Sequence, residues 1–389
     1  MQDHTLVYTM FLIFTGAAVM ATLALYARQA LLVGYILLGI LFGPSVFGLV
    51  SDPAVIKQIS NVGIMFLLFL LGLNLPPAKL IPLVQETTLV TGISSLLFAL
   101  SGMGIAWSFG FVWLECLLIG AALMFSSTII GLKLLPTTVL HHRRTGEIII
   151  SILLLQDILA IVILLLLQTA GEASLPWLAI ALRIAALPAL VVLAYVLERF
   201  VLIKLIARFD KIQEYIFLMA IAWCLGFAEL AASLGLSHEI GAFIAGVALA
   251  TNRISLFIGE SLKPLRDFFL IIFFFSLGAG FNLSILMDVF LPAALLATLV
   301  LLGKPVLFRL LLRNSGEASG RSWEIGVRLG QISEFSLLIA VLALEMHIIG
   351  ERASYLIQLT TLLTFIISSY IIVMRYPTPI ALSDSLRRD

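Results

Sequence analysis

Residues 152–168 read ILLLQDILAIVILLLLQ, almost pure hydrocarbon, yet Asp157 sits near the middle with Gln156 directly before it. A charged side chain at such depth costs about 2.5–3.5 kcal/mol on insertion scales and usually faces a cavity or a partner. Removing a carboxyl group from water disfavours its charged form, so one acid can hold a proton when neutral and a cation when charged. Two ligands then compete for one residue, which is the minimum chemistry of exchange. The alternative is a polar group that ties two helices together, a task that Ser, Thr, Asn or Gln performs at lower cost.

Other residues that do not belong in lipid fall into two groups. FSSTIIG (125–131) places Ser126, Ser127 and Thr128 in mid-span, three residues before Gly131. Hydroxyls and β-branching weaken a helix there and offer oxygen ligands, although they can also bond back to their own helix. WEIGVRLGQISEFSLLIAVLALE (323–345) carries Arg328, Gly330, Gln331, Ser333 and Glu334 within two turns. Two interrupted helices in corresponding halves of a chain point to an inverted-repeat transporter. Lys304, in LLGKPVLF, is placed either to compensate a carboxylate or to extend along its span toward the interface. Glu334 is expected to balance Arg328 or Lys304 as a structural ion pair.

The elements that position these groups follow from composition. The chain is 61% hydrophobic and 12% charged over 389 residues, with a mean hydropathy of +1.15, which no soluble domain matches. Apolar runs fall at 5–26, 30–50, 55–75, 85–109, 113–133, 146–169, 176–203, 213–232, 237–251, 264–285, 287–312, 322–346 and 352–374. Each is expected to be a helix, because only helices satisfy their own backbone in lipid without closing a barrel. The reading is an all-α polytopic membrane protein of about thirteen spans, with a transmembrane domain over 1–375 and a short cytoplasmic tail over 376–389. The first run has no basic segment before it and reads as a span, not a cleaved signal.

Basic residues test the count. Alternate loops hold eighteen of the 23 Lys and Arg residues, among them Arg143, Arg144, Lys263, Arg266, Arg309 and Arg313. The opposite loops hold Lys57 and Arg352, while Arg183, Lys304 and Arg328 lie inside spans. Such a bias puts the N-terminus outside and the C-terminus in the cytoplasm. Cys116 and Cys224 are isolated thiols in apolar runs, without metal or redox spacing. No serine elbow, phosphate loop or paired zinc histidines is present, so an enzyme is not expected, and neither a cofactor nor nucleic acid is implied.

Motifs along nearly the whole chain resemble the cation:proton antiporter 2 family, and within it the Kef-type potassium/proton antiporters. They are GYILLGILFGPSVFGLV (34–50), VGIMFLLFLLGLNL (62–75), FSSTII (125–130), LLLQDI (153–158), LGLSHEIGAFIAGVALA (234–250), KPLRDFFLIIFFFSLGAGFNL (263–283) and RLGQISEF (328–335). Asn74 stands where the family carries an acid, and Ser333 where it carries a glycine. The resemblance implies an inverted-repeat sodium/proton-antiporter-like fold with two broken crossing helices, alternating access and a homodimer. It implies a monovalent cation and proton site at Asp157, with Gln156 where electrogenic relatives carry a second acid or an Asn. Ser126, Ser127 and Thr128 fall at the first break; Gly330, Gln331 and Ser333 at the second; Lys304 matches the basic residue facing the site. Gated Kef proteins continue into a cytoplasmic regulatory domain, which here is either separate, removed or never present.

The expected function is exchange of potassium for protons, electroneutral because Gln156 cannot titrate, in a bacterial inner membrane. The alternatives are a sodium/proton antiporter of the same fold and a non-exchanging cation channel or sensor subunit.

Overall fold

A computed structural model of the chain describes residues 6–50, 53–73, 77–134, 144–170, 177–209, 212–252 and 254–378. Asn74, Arg143, Lys211, Arg253, Arg387 and Arg388, together with the tail beyond Thr378, lie outside these residues.

The described elements are helical. In chain order they are α1 (Leu6–Tyr26), α2 (Leu31–Phe42), α3 (Pro53–Leu73), α4 (Pro77–Ser108), α5 (Trp113–Met124), α6 (Thr128–Lys133), α7 (Arg144–Ala170) and α8 (Trp177–Leu197). A π-helical turn (Glu198–Leu202) leads into α9 (Ile203–Arg208), followed by α10 (Gln213–Ser233), α11 (His238–Ala250), α12 (Ile254–Ala279), α13 (Leu283–Asn314), α14 (Ser319–Arg328), α15 (Glu334–Glu345) and α16 (Glu351–Arg375).

Every expected span meets at least one of these helices, and 113–133 and 322–346 are each split in two by a break. Among the described residues, six helices are individually long and apolar enough to cross a bilayer, by length and composition. α2 is short and stops at Gly43, just before Pro44. α12 starts ten residues before the apolar run at 264, because its first turns carry the charged residues Glu260 and Lys263. Left-handed glycines end α10 and α13: Gly235 has φ 77° and Gly316 has φ 92°.

The helices form two groups. One joins α1, α2, α3, α8, α10, α11 and α12; the other joins α4, α5, α7, α13, α14, α15 and α16. Main-chain crossings in the first group reveal an inverted repeat. α2 meets α12 where Gly39 faces Gly278, and α11 meets α3 where Gly246 faces Gly72. A Cβ on Gly39 would collide with the Phe275 carbonyl, and one on Gly246 with the Phe69 carbonyl. The correspondence continues one turn away, where Gly34 abuts the Met20 carbonyl of α1 and Gly241 the Phe227 carbonyl of α10. In the second group Gly120 of α5 abuts Ala99 of α4, and Gly326 of α14 abuts Pro305 of α13. Helices without side chains at the crossing approach closely enough for van der Waals packing to replace the missing hydrophobic drive in lipid.

The turn between α13 and α14 is fixed by charge. Glu317 accepts from Arg321 at 2.7 Å and Arg144 at 3.2 Å. Partial burial works against its charge, but the bonds from Arg321 and Arg144 win and hold the carboxyl below the ordinary value of 4.5.

Gly246→Val should destabilise the detergent-solubilised protein by about 1–3 kcal/mol, because the α3–α11 crossing must open. Gly226→Ala, with nothing near its Cβ, should leave the melting temperature unchanged, and equal melting of the two variants would refute the crossing role. The Glu317 contribution is present above the ordinary carboxylate value and lost as pH falls through the lower folded value. Glu317→Gln should therefore melt earlier than wild type at pH 7, with the gap closing toward pH 3.

Candidate functional site

The first break follows Met124. Phe125 turns to extended backbone at φ −86° and ψ 150°, and helix resumes at Thr128. The second break runs from Leu329 to Ser333, where Ser333 is extended at φ −92° and ψ 154°. Each resumed helix is capped by a serine: Ser127 Oγ accepts the Ile130 N–H at 3.1 Å, and Ser333 Oγ accepts the Phe335 N–H at 3.1 Å. Capping of this kind satisfies donors that lipid cannot.

The breaks cross and bond to each other. The Ser126 hydroxyl donates to the Leu329 carbonyl at 2.9 Å, Gln331 Nε2 to the Ser127 carbonyl at 3.4 Å, and the Ser336 hydroxyl to the Ala122 carbonyl at 2.6 Å. Gly330 adds no side chain at this crossing, and its N–H returns to the Val327 carbonyl at 3.2 Å.

Lys304 is the centre of the crossing. Its ammonium donates to the Phe125 carbonyl at 2.6 Å, Ser126 Oγ at 3.1 Å and the Gln331 carbonyl at 3.1 Å. It also lies 5.8 Å from the centre of the Phe98 ring. The side chain is 1% exposed, so it does not extend to the interface. Its three oxygen partners are main chain and hydroxyl, not a carboxylate. Two of them are carbonyls just beyond the C-terminal ends of α5 and α14, where a cation offsets the negative end of a helix dipole.

Asp157 is 1% exposed and receives the Thr128 hydroxyl, 3.2 Å from each carboxylate oxygen. Thr128 in turn lines a cavity of about 400 Å³ between the two helix groups. Ile64 and Leu68 of α3, Phe273 of α12, and Glu334 and Leu338 of α15 form its walls, and Lys263 and Arg266 also line it. Asp157 thus stands one hydroxyl behind the cavity wall.

Gln156 faces the first break. Its Oε1 accepts the Ser126 N–H at 2.9 Å, and its Nε2 donates to the Met124 carbonyl at 3.1 Å. The amide is engaged by backbone on both sides. Arg328 does not meet Glu334 as expected: its salt bridge is with Glu324 at 2.9 Å, one turn earlier on the same helix. Its remaining nitrogens donate to the carbonyls of Leu134 and Pro377, each at 3.1 Å, beneath the Tyr376 ring at 5.3 Å. Pairing at i, i+4 with Glu324 satisfies the guanidinium locally, and Glu334 lines the cavity.

Sequence reasoning gave α16 as a span but missed its contacts with the second break. Thr364 accepts the Ile332 N–H at 3.1 Å, and the Ser368 hydroxyl donates to Gln331 Oε1 at 3.0 Å. The available signal was QLTTLLTFIISSY (358–370), hydroxyl-rich for a helix so deeply buried.

An inverted repeat whose broken helices cross beside one buried acid defines a secondary ion-carrier fold. Residues 11–374 match the family model for the transmembrane part of sodium/hydrogen exchangers, and the chain belongs to that family. The putative K(+) efflux antiporter KefB of Alkalimonas amylolytica is 31% identical, over 95% of this chain and 56% of its own length. K(+) efflux antiporter 4 of Arabidopsis thaliana is 28% identical, over 87% of this chain and 59% of its own length. This chain therefore spans less than two thirds of these relatives. The solved sodium proton antiporter MjNhaP1 of Methanocaldococcus jannaschii superposes with a TM-score of 0.69 at 18% identity, covering 94% of this chain and 95% of its own. That likeness shows the shared fold.

Lys304→Met should remove a cation from three buried acceptors and destabilise the protein by about 2–3 kcal/mol. A variant that melts with wild type would show that the ammonium does not hold the breaks together.

Proposed function

We propose that the chain exchanges a monovalent cation for protons at Asp157 by alternating access, as a carrier and not an enzyme. The single observation that carries this reading is the placement of one buried carboxyl group a hydroxyl away from a cavity between two helix groups. When Asp157 is neutral it carries the proton; when charged it takes the cation, with the Thr128 hydroxyl as the adjoining oxygen and hydroxyls at Ser126 and Ser127 nearby. Competition for one carboxylate couples the two flows.

The charge balance supports electroneutral exchange. Gln156 cannot titrate, and Lys304 is bonded to backbone and a hydroxyl. One carboxylate then trades one proton for one cation, and each unit of pH difference is worth about 1.4 kcal/mol per proton. Potassium is the proposed ion, because the relatives above bear the name of potassium efflux antiporters. The basic-residue bias supports an outer N-terminus and a cytoplasmic C-terminus, so the Lys263–Arg266 side of the cavity would face the cytoplasm of a bacterial inner membrane. A homodimer, with a cytoplasmic regulatory domain separate or removed, completes the proposal.

In proteoliposomes, Asp157→Asn should reduce cation-driven proton movement to background while the protein remains folded. Retained exchange would remove Asp157 from its role. Wild-type rates compared in potassium, sodium and lithium, with and without an imposed voltage, test the ion and the charge balance; flux that follows voltage would refute electroneutrality.

A further inference from the structure

The inverted repeat assigns partners by position. α4, the α5–α6 pair and α7 correspond to α13, the α14–α15 pair and α16. Gly120 and Gly326 mark equivalent crossings, and counting onward from each pairs Ser126 with Ile332 and Ser127 with Ser333. The two serines already share one job, capping the helix that resumes.

A second equivalence follows. The N–H at Ser126 is received by Gln156 of α7, at 2.9 Å. The N–H at Ile332 is received by Thr364 of α16, at 3.1 Å. In both repeats, the helix after the break therefore reaches back and holds the same main-chain donor. Thr364 is fully buried, and its own proton goes to the Thr361 carbonyl at 2.9 Å, so its oxygen faces the break as an acceptor. One turn further along α16, Ser368 fixes the Gln331 side chain.

Ile332 and Gln331 are consecutive, and the Gln331 carbonyl is one of the three oxygens on Lys304. The Gln331 amide also reaches the Ser127 carbonyl at 3.4 Å, next to Thr128 and hence to the oxygen shell of Asp157. We propose that Thr364 is a positioning residue for the ion site, the second-repeat counterpart of Gln156, which sets the second break against Lys304 and the first break. This inference rests on the proposed exchange at Asp157 for its transport readout, and on the break geometry alone for its structural one.

Thr364→Val keeps the shape but removes the acceptor, leaving a buried N–H without its partner. Thr364→Ser keeps the acceptor. Reconstituted Thr364→Val should show a cation KM raised by roughly fivefold to tenfold and a displaced pH profile, with Thr364→Ser close to wild type. A scaffold role alone would lower the yield or melting temperature and leave KM and pH profile per folded protein unchanged; that result overturns the proposal. The same three proteins are followed by hydrogen–deuterium exchange. Faster exchange in Thr364→Val confined to residues 329–335, absent in Thr364→Ser, supports the clamp, and unchanged exchange there overturns it. If wild type exchanges no cation at all, the functional reading falls, while the hydrogen-exchange comparison still decides whether Thr364 holds the break.

Discussion

Interrupting a helix inside a hydrocarbon layer strands main-chain donors and acceptors where no water can reach them, and each one left unpaired is costly. The chain interrupts two helices and places the interruptions against each other. The stranded carbonyls of Phe125 and Gln331 converge on the Lys304 ammonium. The stranded N–H groups go to Gln156 and Thr364. Much of what is polar in the centre of the molecule answers this demand, and Asp157 is placed by the same scheme, through Thr128 at the start of α6.

That scheme explains why a lysine is tolerated at such depth. An ammonium has three donors and no acceptor. Here it finds three oxygens, two of them at negative helix ends. The cation neutralises the crossing, and the neighbouring carboxyl group remains available to other ligands. Burial of Arg328 is solved differently, by a local glutamate and two carbonyls. Two basic side chains that look alike in the sequence thus serve separate ends: one joins the breaks, and the other ties the ends of α6 and α14 to the segment after α16.

Spans and breaks were legible because lipid imposes a strong pattern. Apolar runs give the helices, and FSST and RLGQISE give the interruptions. Partnerships were less legible, since they depend on residues far apart in sequence. Nothing near Lys304 in the chain announces Phe125 or Gln331. Arg328 has Glu324 and Glu334 at comparable distance along the chain, and only helix phase selects the former. Gln156 reads as a missing charge beside Asp157; in three dimensions its amide spans the break between α5 and α6. The internal repeat was read from the two interrupted helices, while a further mark of it went unused: Gly34 and Gly39 in the second span recur as Gly241 and Gly246 in the ninth. Thr364 was hidden because a threonine in a helix bonds its own backbone as often as another.

The glycine crossings have a mechanical consequence. Where α2 meets α12 and α3 meets α11, backbone rests on backbone, and there are no rotamers to rearrange. Those helices behave as a truss. The cavity boundary between α3 and α12 on one side and α15 on the other is built differently, from Leu68, Phe273, Leu338 and similar side chains. Side chains on a hydrocarbon surface can rotate to re-mesh, a freedom that backbone packed against backbone lacks. Compliance is concentrated at that joint, so a displacement of the crossed helices is taken up as slip along a greased plane while the truss keeps its shape.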